Sequence, residues 1–317
     1  MRIFRGFEAV PEALRGACLA IGNFDGVHRG HRAVIAAAAE MARARRRPFG
    51  VLTFEPHPRE VLDPERAPAR LSTFARKAEL LRDLGVEILF VLRFGPGLMR
   101  LSAGQFVERV LLGAYAVAGV ATGEDFRFGH RRAGDVARLR ELGAARGFAV
   151  RAVPKLVVEG AVCSSTRIRA ALAAGDVRLA SRLLGYAFEV RGGVVTGDRR
   201  GRELGYPTAN VRPVGRRPLL PGNGIYAVRA AVREVPGWRW HPAVASLGVR
   251  PTFGGGEVVL EVHLLDGERD LYGRRLRVAF LERLREERRF PSIEALKREM
   301  ARDCARAREI LALTTVS

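Results

Sequence analysis

Lysine is nearly absent from a strongly basic chain: Lys77, Lys155 and Lys297 are its only lysines, and arginine supplies the rest of a formal net charge of +20. The arginines lie scattered beside Ala, Gly and Val with no concentrated basic arm, which reads as the codon bias of a GC-rich genome and predicts no nucleic-acid partner. A basic nucleic-acid-binding protein is the alternative that the charge itself suggests, with affinity then drawn from displaced counterions. Cysteine is scarce too. Cys18, Cys163 and Cys304 are odd in number, far apart and without CxxC spacing, which argues against a disulfide framework and a cysteine-rich zinc site and predicts reduced, mostly buried thiols. Long apolar runs are missing: the most apolar stretch, Val110 to Gly123, is 14 residues long, short of the roughly 20 that a bilayer span needs. It reads as a buried helix end followed by a strand. The N-terminal MRIFRGFEAVPEALRG carries Glu8 and Glu12 and lacks the apolar core of a secretion signal. The expectation is a cytoplasmic protein that does not engage membranes.

What is present has two different periods. At 317 residues the chain exceeds what one core comfortably serves, so two domains are favoured. From Cys18 to about Pro154, the β-prone runs CLAIG, FGVLTF, EILFVL, VAGVAT and FAVRAV alternate with amphipathic segments near 30–45, 74–84, 102–113 and 135–146. That alternation predicts an α/β domain, a doubly wound parallel sheet with helices on both faces. Ligands bind such sheets beyond the C-terminal strand ends. After a helical stretch near 164–184 come FEVRGGVVTG, GIYAVRAAVR, HPAVASLG, VVLEVHLLD and LRVAFLERL without helices between them, which predicts a compact antiparallel β-barrel. A terminal helix opens at Ser292, with Ile293, Leu296, Met300, Cys304 and Ile310 along one apolar side. The boundary falls near 184–187, giving domains 1–185 and 186–317.

The first chemically suggestive segment is AIGNFDGVHRGH, residues 20–31, running from the end of the first strand into the first helix. Gly22, Gly26 and Gly30 let the backbone turn sharply and approach a ligand, and a helix start offers free N–H groups to phosphate. His28 and His31 point the same way at a helix start, suited to phosphate oxygens whose charge grows in a transition state. Two surface histidines, or a zinc pair lacking its third ligand, are the plainer readings of an isolated HxxH. The second segment, GDRRGRELGYPTANV (197–211), is rich in glycine and contains a Pro-Thr-Ala-Asn turn, but lacks the lysine of a Walker A loop. Gly197, Gly201 and Gly205 permit close backbone approach to phosphate, and Thr208 and Asn210 offer hard oxygen ligands suited to Mg²⁺ on a nucleotide. A plain glycine-rich hairpin is the competing reading. Glu261 and His263 fall on one side of their strand and Val262 and Leu264 on the other.

GNFDGVHRGH resembles the HxGH signature of the cytidylyltransferase-like nucleotidyltransferases, and TFEPHP (53–58), EDFRFG (124–129) and CSSTRIR (163–169) narrow the resemblance to the bacterial bifunctional riboflavin kinase and FAD synthetase family. PTAN (207–210), GIYAV (224–228), LGVRPTFGG (247–255) and EVHLLD (261–266) are similar to that family's kinase half. The resemblance implies a Rossmann-like nucleotidyltransferase domain followed by a riboflavin kinase barrel, with riboflavin, FMN and ATP as small-molecule substrates and Mg²⁺ as cofactor. It implies that Gly22, Asn23, Phe24, Gly26, His28 and His31 bind ATP, with Ser164, Ser165, Thr166 and Arg169 as a second phosphate clamp. Phe54, His57, Pro58, Asp125 and Phe128 would shape the flavin side, although each Phe taken alone reads equally as core. Thr208 and Asn210 would hold Mg²⁺ and ATP, and Glu261 would be the general base for the riboflavin 5′-hydroxyl. An HxGH enzyme acting on another phosphorylated acceptor is the nearest alternative. Oligomerisation is compatible with all of these readings.

Overall fold

The computed structural model describes residues 1–196, 204–234, 237–250, 257–267 and 269–314. By its internal contacts the chain forms two compact units, Met1–Pro68 with Phe74–Ser164, and Ala69–Thr73 with Ser165–Ser317. The change of periodicity near 185 and the change of packing at Ser164 are thus different places in the chain.

The first unit is built on six parallel strands, β1 (Arg2–Arg5), β2 (Cys18–Ile21), β3 (Phe49–Glu55), β4 (Ile88–Arg93), β5 (Gly119–Gly123) and β6 (Ala149–Val153), in the order β1-β4-β3-β2-β5-β6. Four of the five strand-to-strand crossovers carry a helix: α1 (Arg29–Arg45), α3 (Phe74–Asp83), α5 (Ala103–Gln105, continued π-helically through Phe106–Ala114) and α6 (Val136–Arg146). Short α2 (Pro58–Leu62) and α4 (Pro96–Met99) lie in the connections. The central strands are apolar without alternation, as they must be when both faces are covered. Every residue of β2 is buried, as are Ile88 to Leu92 of β4. Helix α1 turns Val34, Ile35, Ala38 and Met41 to the sheet. Its approach is close: a Cβ on Gly119 would lie 2.7 Å from Met41 Cε. The strand order reverses at β2, flanked by β3 on one side and β5 on the other, which is the switch point where such sheets open a crevice. The loop that leaves β2 there is the one carrying His28.

The second unit starts with α7 (Ser165–Ala173) and α8 (Val177–Leu184) and continues into a closed barrel. Its strands are β9 (Phe188–Val195), β10 (Ala209–Pro213), β11 (Gly224–Arg233), β12 (Trp238–Arg250), β13 (Glu257–Leu264) and β14 (Arg275–Arg285), all antiparallel, in the order β10-β13-β12-β11-β14-β9. A hairpin of β7 (Val157–Val158) and β8 (Ala161–Val162) precedes Cys163 in the first unit. Phe188, Val190, Tyr226, Val228, Val262 and Phe280 are buried on alternating positions and fill the barrel. The opposite face of β11, at Ala227, meets Ala307, Ile310 and Leu311 of the terminal helix α9 (Ile293–Ala312). Arg229 donates to the Leu311 and Thr314 carbonyls at 2.8 Å, closing the negative end of that helix.

Two expectations are corrected. The Pro-Thr-Ala-Asn segment ends as strand: Ala209 and Asn210 open β10, because pairing with β9 and β13 closes the barrel and overrides the turn signals. Ile293 is 59% exposed, while the buried apolar residues of α9 are Cys304, Ala307, Ile310 and Leu311, toward its C-terminal end.

Candidate active sites

The loop from Gly22 to His28 is held in an unfavourable shape. Phe24 has φ +48° and Val27 φ +38°, with Gly26 at +80° between them. A non-glycine residue in the left-handed region costs about 1–3 kcal/mol and persists only where neighbours over-determine it. They do so here. The Asn23 carbonyl accepts the Thr53 hydroxyl at 3.1 Å and the Lys77 ammonium at 3.0 Å. Arg32 Nε donates to the Val27 carbonyl at 3.3 Å, and the buried Phe24 ring stands edge-on to His31, centroids 5.3 Å apart.

His28 is the N-cap of α1, and its Nδ1 accepts the backbone N–H of His31 at 3.3 Å. An Nδ1 that accepts leaves the proton of the neutral ring on Nε2. Cys163 Sγ lies 3.7 Å from the same Nδ1. The two imidazoles stack, with centroids 3.5 Å apart and planes 20° apart. Gly30 suits this close packing: a Cβ there would sit 3.1 Å from the Cys163 carbonyl and 3.2 Å from the His28 ring, so those neighbours would have to give way slightly. Two parallel imidazoles at a helix start are an arrangement that can receive phosphate oxygens.

Phe54, half-buried at the end of β3, meets Phe94 edge-to-face at 6.2 Å. His57 is buried and caps α2 through Nδ1, accepting from Arg59 at 3.2 Å, with Pro58 in the first helical position. Asp125 is exposed and pairs with Lys155 at 3.2 Å. Phe128 is packed into the core against Phe106 and Phe126. Gly22, Asn23, Phe24, Gly26, His28 and His31 are thus gathered in one loop and helix start, against Cys163. Ser164 ends the first unit. Ser165, Thr166 and Arg169 belong to α7 in the second, where Arg169 Nε donates to the Ala69 carbonyl at 2.7 Å.

Within the second unit a cavity of about 610 Å³ opens beside the start of β10, lined by Gly205, Pro207, Thr208, His263, Leu271 and Tyr272 among others. Asn210 and Glu261 face each other directly across β10 and β13, so their side chains share one side of the sheet. His263 is on that side as well, and Nδ1 of His263 lies 2.9 Å from the Pro207 carbonyl while its ring meets Tyr206 edge-on at 5.5 Å. That contact fixes the peptide just before Thr208. Gly197 and Gly201 lie outside the described residues; Gly205, with φ +85°, supplies a left-handed turn at the cavity wall. Among the described residues no three His, Cys, Asp or Glu side chains converge as a metal cluster. A cation at Thr208 and Asn210 would therefore draw most of its shell from phosphates and water, which is how Mg²⁺ is commonly held.

Sequence reasoning passed over Lys77 and Cys163. Lys77 had a signal: it is a lysine in an arginine-rich chain, three residues after Phe74 and four before Leu81, on the apolar stripe of its helix. Cys163 acquires its meaning only from the fold, which returns residue 163 to residue 28.

Residues 10–167 match the family model described as FAD synthetase, and residues 184–311 the one described as riboflavin kinase. The bifunctional riboflavin kinase/FMN adenylyltransferase of Pseudomonas fluorescens is 45% identical over 313 residues, covering 98% of each chain. The protein of the same name from Escherichia coli (strain K12) is 42% identical over 316 residues, 99% of each. A solved Streptococcus pneumoniae structure described as a macrolide-efflux protein aligns with a TM-score of 0.88 at 30% identity, over 97% of this chain and 99% of its own. Among the described residues no helix is long and apolar enough to cross a membrane.

Proposed function

The chain belongs to the bifunctional riboflavin kinase/FMN adenylyltransferase family, and we propose that it phosphorylates riboflavin to FMN and then adenylylates FMN to FAD, releasing pyrophosphate. Domain 186–317 is assigned the kinase step and domain 1–185 the adenylyl step. The observation that carries this reading is that one chain holds both a stacked His28–His31 pair at the switch point of a parallel sheet and a barrel cavity walled by Thr208 beside the Asn210–Glu261 pair.

For adenylyl transfer, a phosphate oxygen of FMN attacks the α-phosphorus of ATP in line and pyrophosphate leaves. Nε2–H of His28 donates to the phosphate oxygens as charge builds on them, and His31 lies stacked against it to share that load. Ser164, Ser165, Thr166 and Arg169 are assigned to the departing pyrophosphate, hydroxyls and guanidinium being its natural partners. No covalent enzyme intermediate is needed, and positioning supplies much of the acceleration. Phe54, His57, Pro58, Asp125 and Phe128 are assigned to the flavin side, those buried in the core acting by shaping the wall.

For phosphorylation, Glu261 accepts the proton of the riboflavin 5′-hydroxyl as that oxygen attacks the γ-phosphorus, and ADP leaves. Thr208 and Asn210 are the ligands proposed for Mg²⁺, which when bound neutralises charge on the ATP phosphates. The enzyme is assigned to the cytoplasm, in keeping with three free, buried thiols.

The test is to incubate the purified chain with riboflavin, ATP and Mg²⁺ and separate the flavins over time. The wild type is expected to make FMN and then FAD. Glu261→Ala is expected to leave riboflavin untouched while converting supplied FMN, and a His28→Ala, His31→Ala double variant to stop at FMN. No flavin turnover by the wild type overturns the reading in favour of another phosphorylated acceptor or nucleic acid.

A further inference from the structure

Lys77 is fully buried, on α3 beneath the loop that follows β2. Its ammonium pairs with Glu55 at 2.8 Å, lies 3.5 Å from the Thr53 hydroxyl, and donates to the Asn23 carbonyl at 3.0 Å. Burying an ammonium is expensive, and a buried pair often adds less to stability than well-packed apolar side chains would. The arrangement is better explained by what it fixes. The Asn23 carbonyl takes both the Lys77 and the Thr53 bond, at the residue immediately before the strained Phe24–Val27 segment that ends in His28. Thr53 and Glu55 sit on β3, so one cation ties α3, β3 and the β2 loop to a single peptide.

We propose that Lys77 is a positioning residue for adenylyl transfer: by anchoring the Asn23 carbonyl from below, it holds the Phe24–Val27 segment in its left-handed shape and so fixes where His28 presents Nε2 to the phosphates. This rests on the assignment of adenylyl transfer to the first unit. Lys77 does not touch the reacting atoms. Its charge is already committed to Glu55 and a carbonyl, so its contribution is geometry rather than substrate attraction. A group that acts only by placing another should lower kcat and kcat/KM together while leaving KM for FMN unchanged.

The full chain supplies its own control, because the kinase reaction uses the other unit. Lys77→Met keeps the length and removes the charge; Lys77→Arg keeps the charge and the donors. For Lys77→Met the expected result is a fall in kcat for FMN adenylylation of about 10–100-fold, the range seen when partners that orient a reactive group are removed. KM for FMN should hold, riboflavin phosphorylation should run at the wild-type rate in the same sample, and Lys77→Arg should regain most of the loss. The proposal is overturned by wild-type adenylylation in Lys77→Met, by equal losses in the two variants, by a loss expressed wholly in KM, or by a parallel loss of kinase activity. A wild-type chain that does not adenylylate FMN removes instead the assignment on which the proposal rests.

Discussion

At the scale of single residues, the main chain takes part in holding both His28 and His263. Nδ1 of His28 is taken by the His31 N–H, and Nδ1 of His263 is hydrogen-bonded to the Pro207 carbonyl. In each ring Nδ1 is thereby tied to the main chain. Replacing His263 with Ala frees the peptide before Thr208, and kinase kcat is expected to fall by on the order of tenfold or more, the low end for lost orienting partners. FMN adenylylation assayed in the same sample should not change; an equal fall in both reactions would mean that the barrel itself has been damaged. The thiols give a second residue-scale prediction. Burial raises the pKa of Cys18 against the opposing Arg45 and Arg47, and burial likewise raises that of Cys304 against Arg308. A raised thiol pKa means less thiolate at a given pH, and only thiolate is nucleophilic. In a titration of the native chain near pH 8 with an aromatic disulfide reagent, Cys18 and Cys304 should react far more slowly than after denaturation. Prompt modification of either in the native protein would contradict their burial.

At the scale of elements, ends and partners decide what a segment becomes. Ser292 caps α9 by accepting the Ala295 N–H at 3.2 Å, and Ser292→Ala should cost about 1 kcal/mol of the barrel's stability. Denaturant unfolding followed by kinase activity is the measurement, and an unchanged midpoint would show that packing at Ala307 and Ile310 holds the helix alone. Helices α7 and α8 give a larger effect. Gly222 N donates to the Leu172 carbonyl at 2.8 Å and Arg178 pairs with Glu282 at 2.6 Å, so these helices complete the barrel's flank. A fragment of residues 165–317 is expected to melt at a higher temperature than one of 186–317; equal melting would show that the two helices are dispensable to the barrel.

Most elements were readable because their periods are unambiguous: the run ILFVLR of β4, apolar throughout but for its last residue, reads as a strand covered on both faces, and α6 and α8 open on the capping residues Asp135 and Asp176. The elements missed are those whose sequence carries little of its own pattern. RIFR of β1 is a four-residue edge strand defined by pairing with β4, and ANVRP of β10 is short, proline-ended and defined by two neighbours. The sites follow the same rule. His28, Gly30 and His31 were legible as GVHRGH, because one short segment holds all three. Lys77 and Cys163 were not, because their partners lie 54 and 135 residues away in the chain.

At the scale of the whole molecule the charge of +20 calls for a physical consequence. Many of the arginines are paired on the surface, as in Arg146–Glu108 and Arg151–Glu40, and such exposed pairs contribute little to stability. The excess that remains acts as a field. A positive field steers anions, and its reach is set by salt: the Debye length falls from about 30 Å at 0.01 M to about 10 Å at 0.1 M. The two flavin substrates differ in the property the field senses, since riboflavin is neutral and FMN carries a phosphate. With ATP held saturating and ionic strength raised across that range, kcat/KM for FMN should fall several-fold while kcat/KM for riboflavin moves much less. Random duplex DNA added at low salt should then inhibit FMN use only weakly, and the inhibition should vanish by 0.1 M, as expected for diffuse counterion exchange rather than a dedicated groove. If instead both flavins respond alike, the field does not guide capture, and the arginine content is a matter of composition alone.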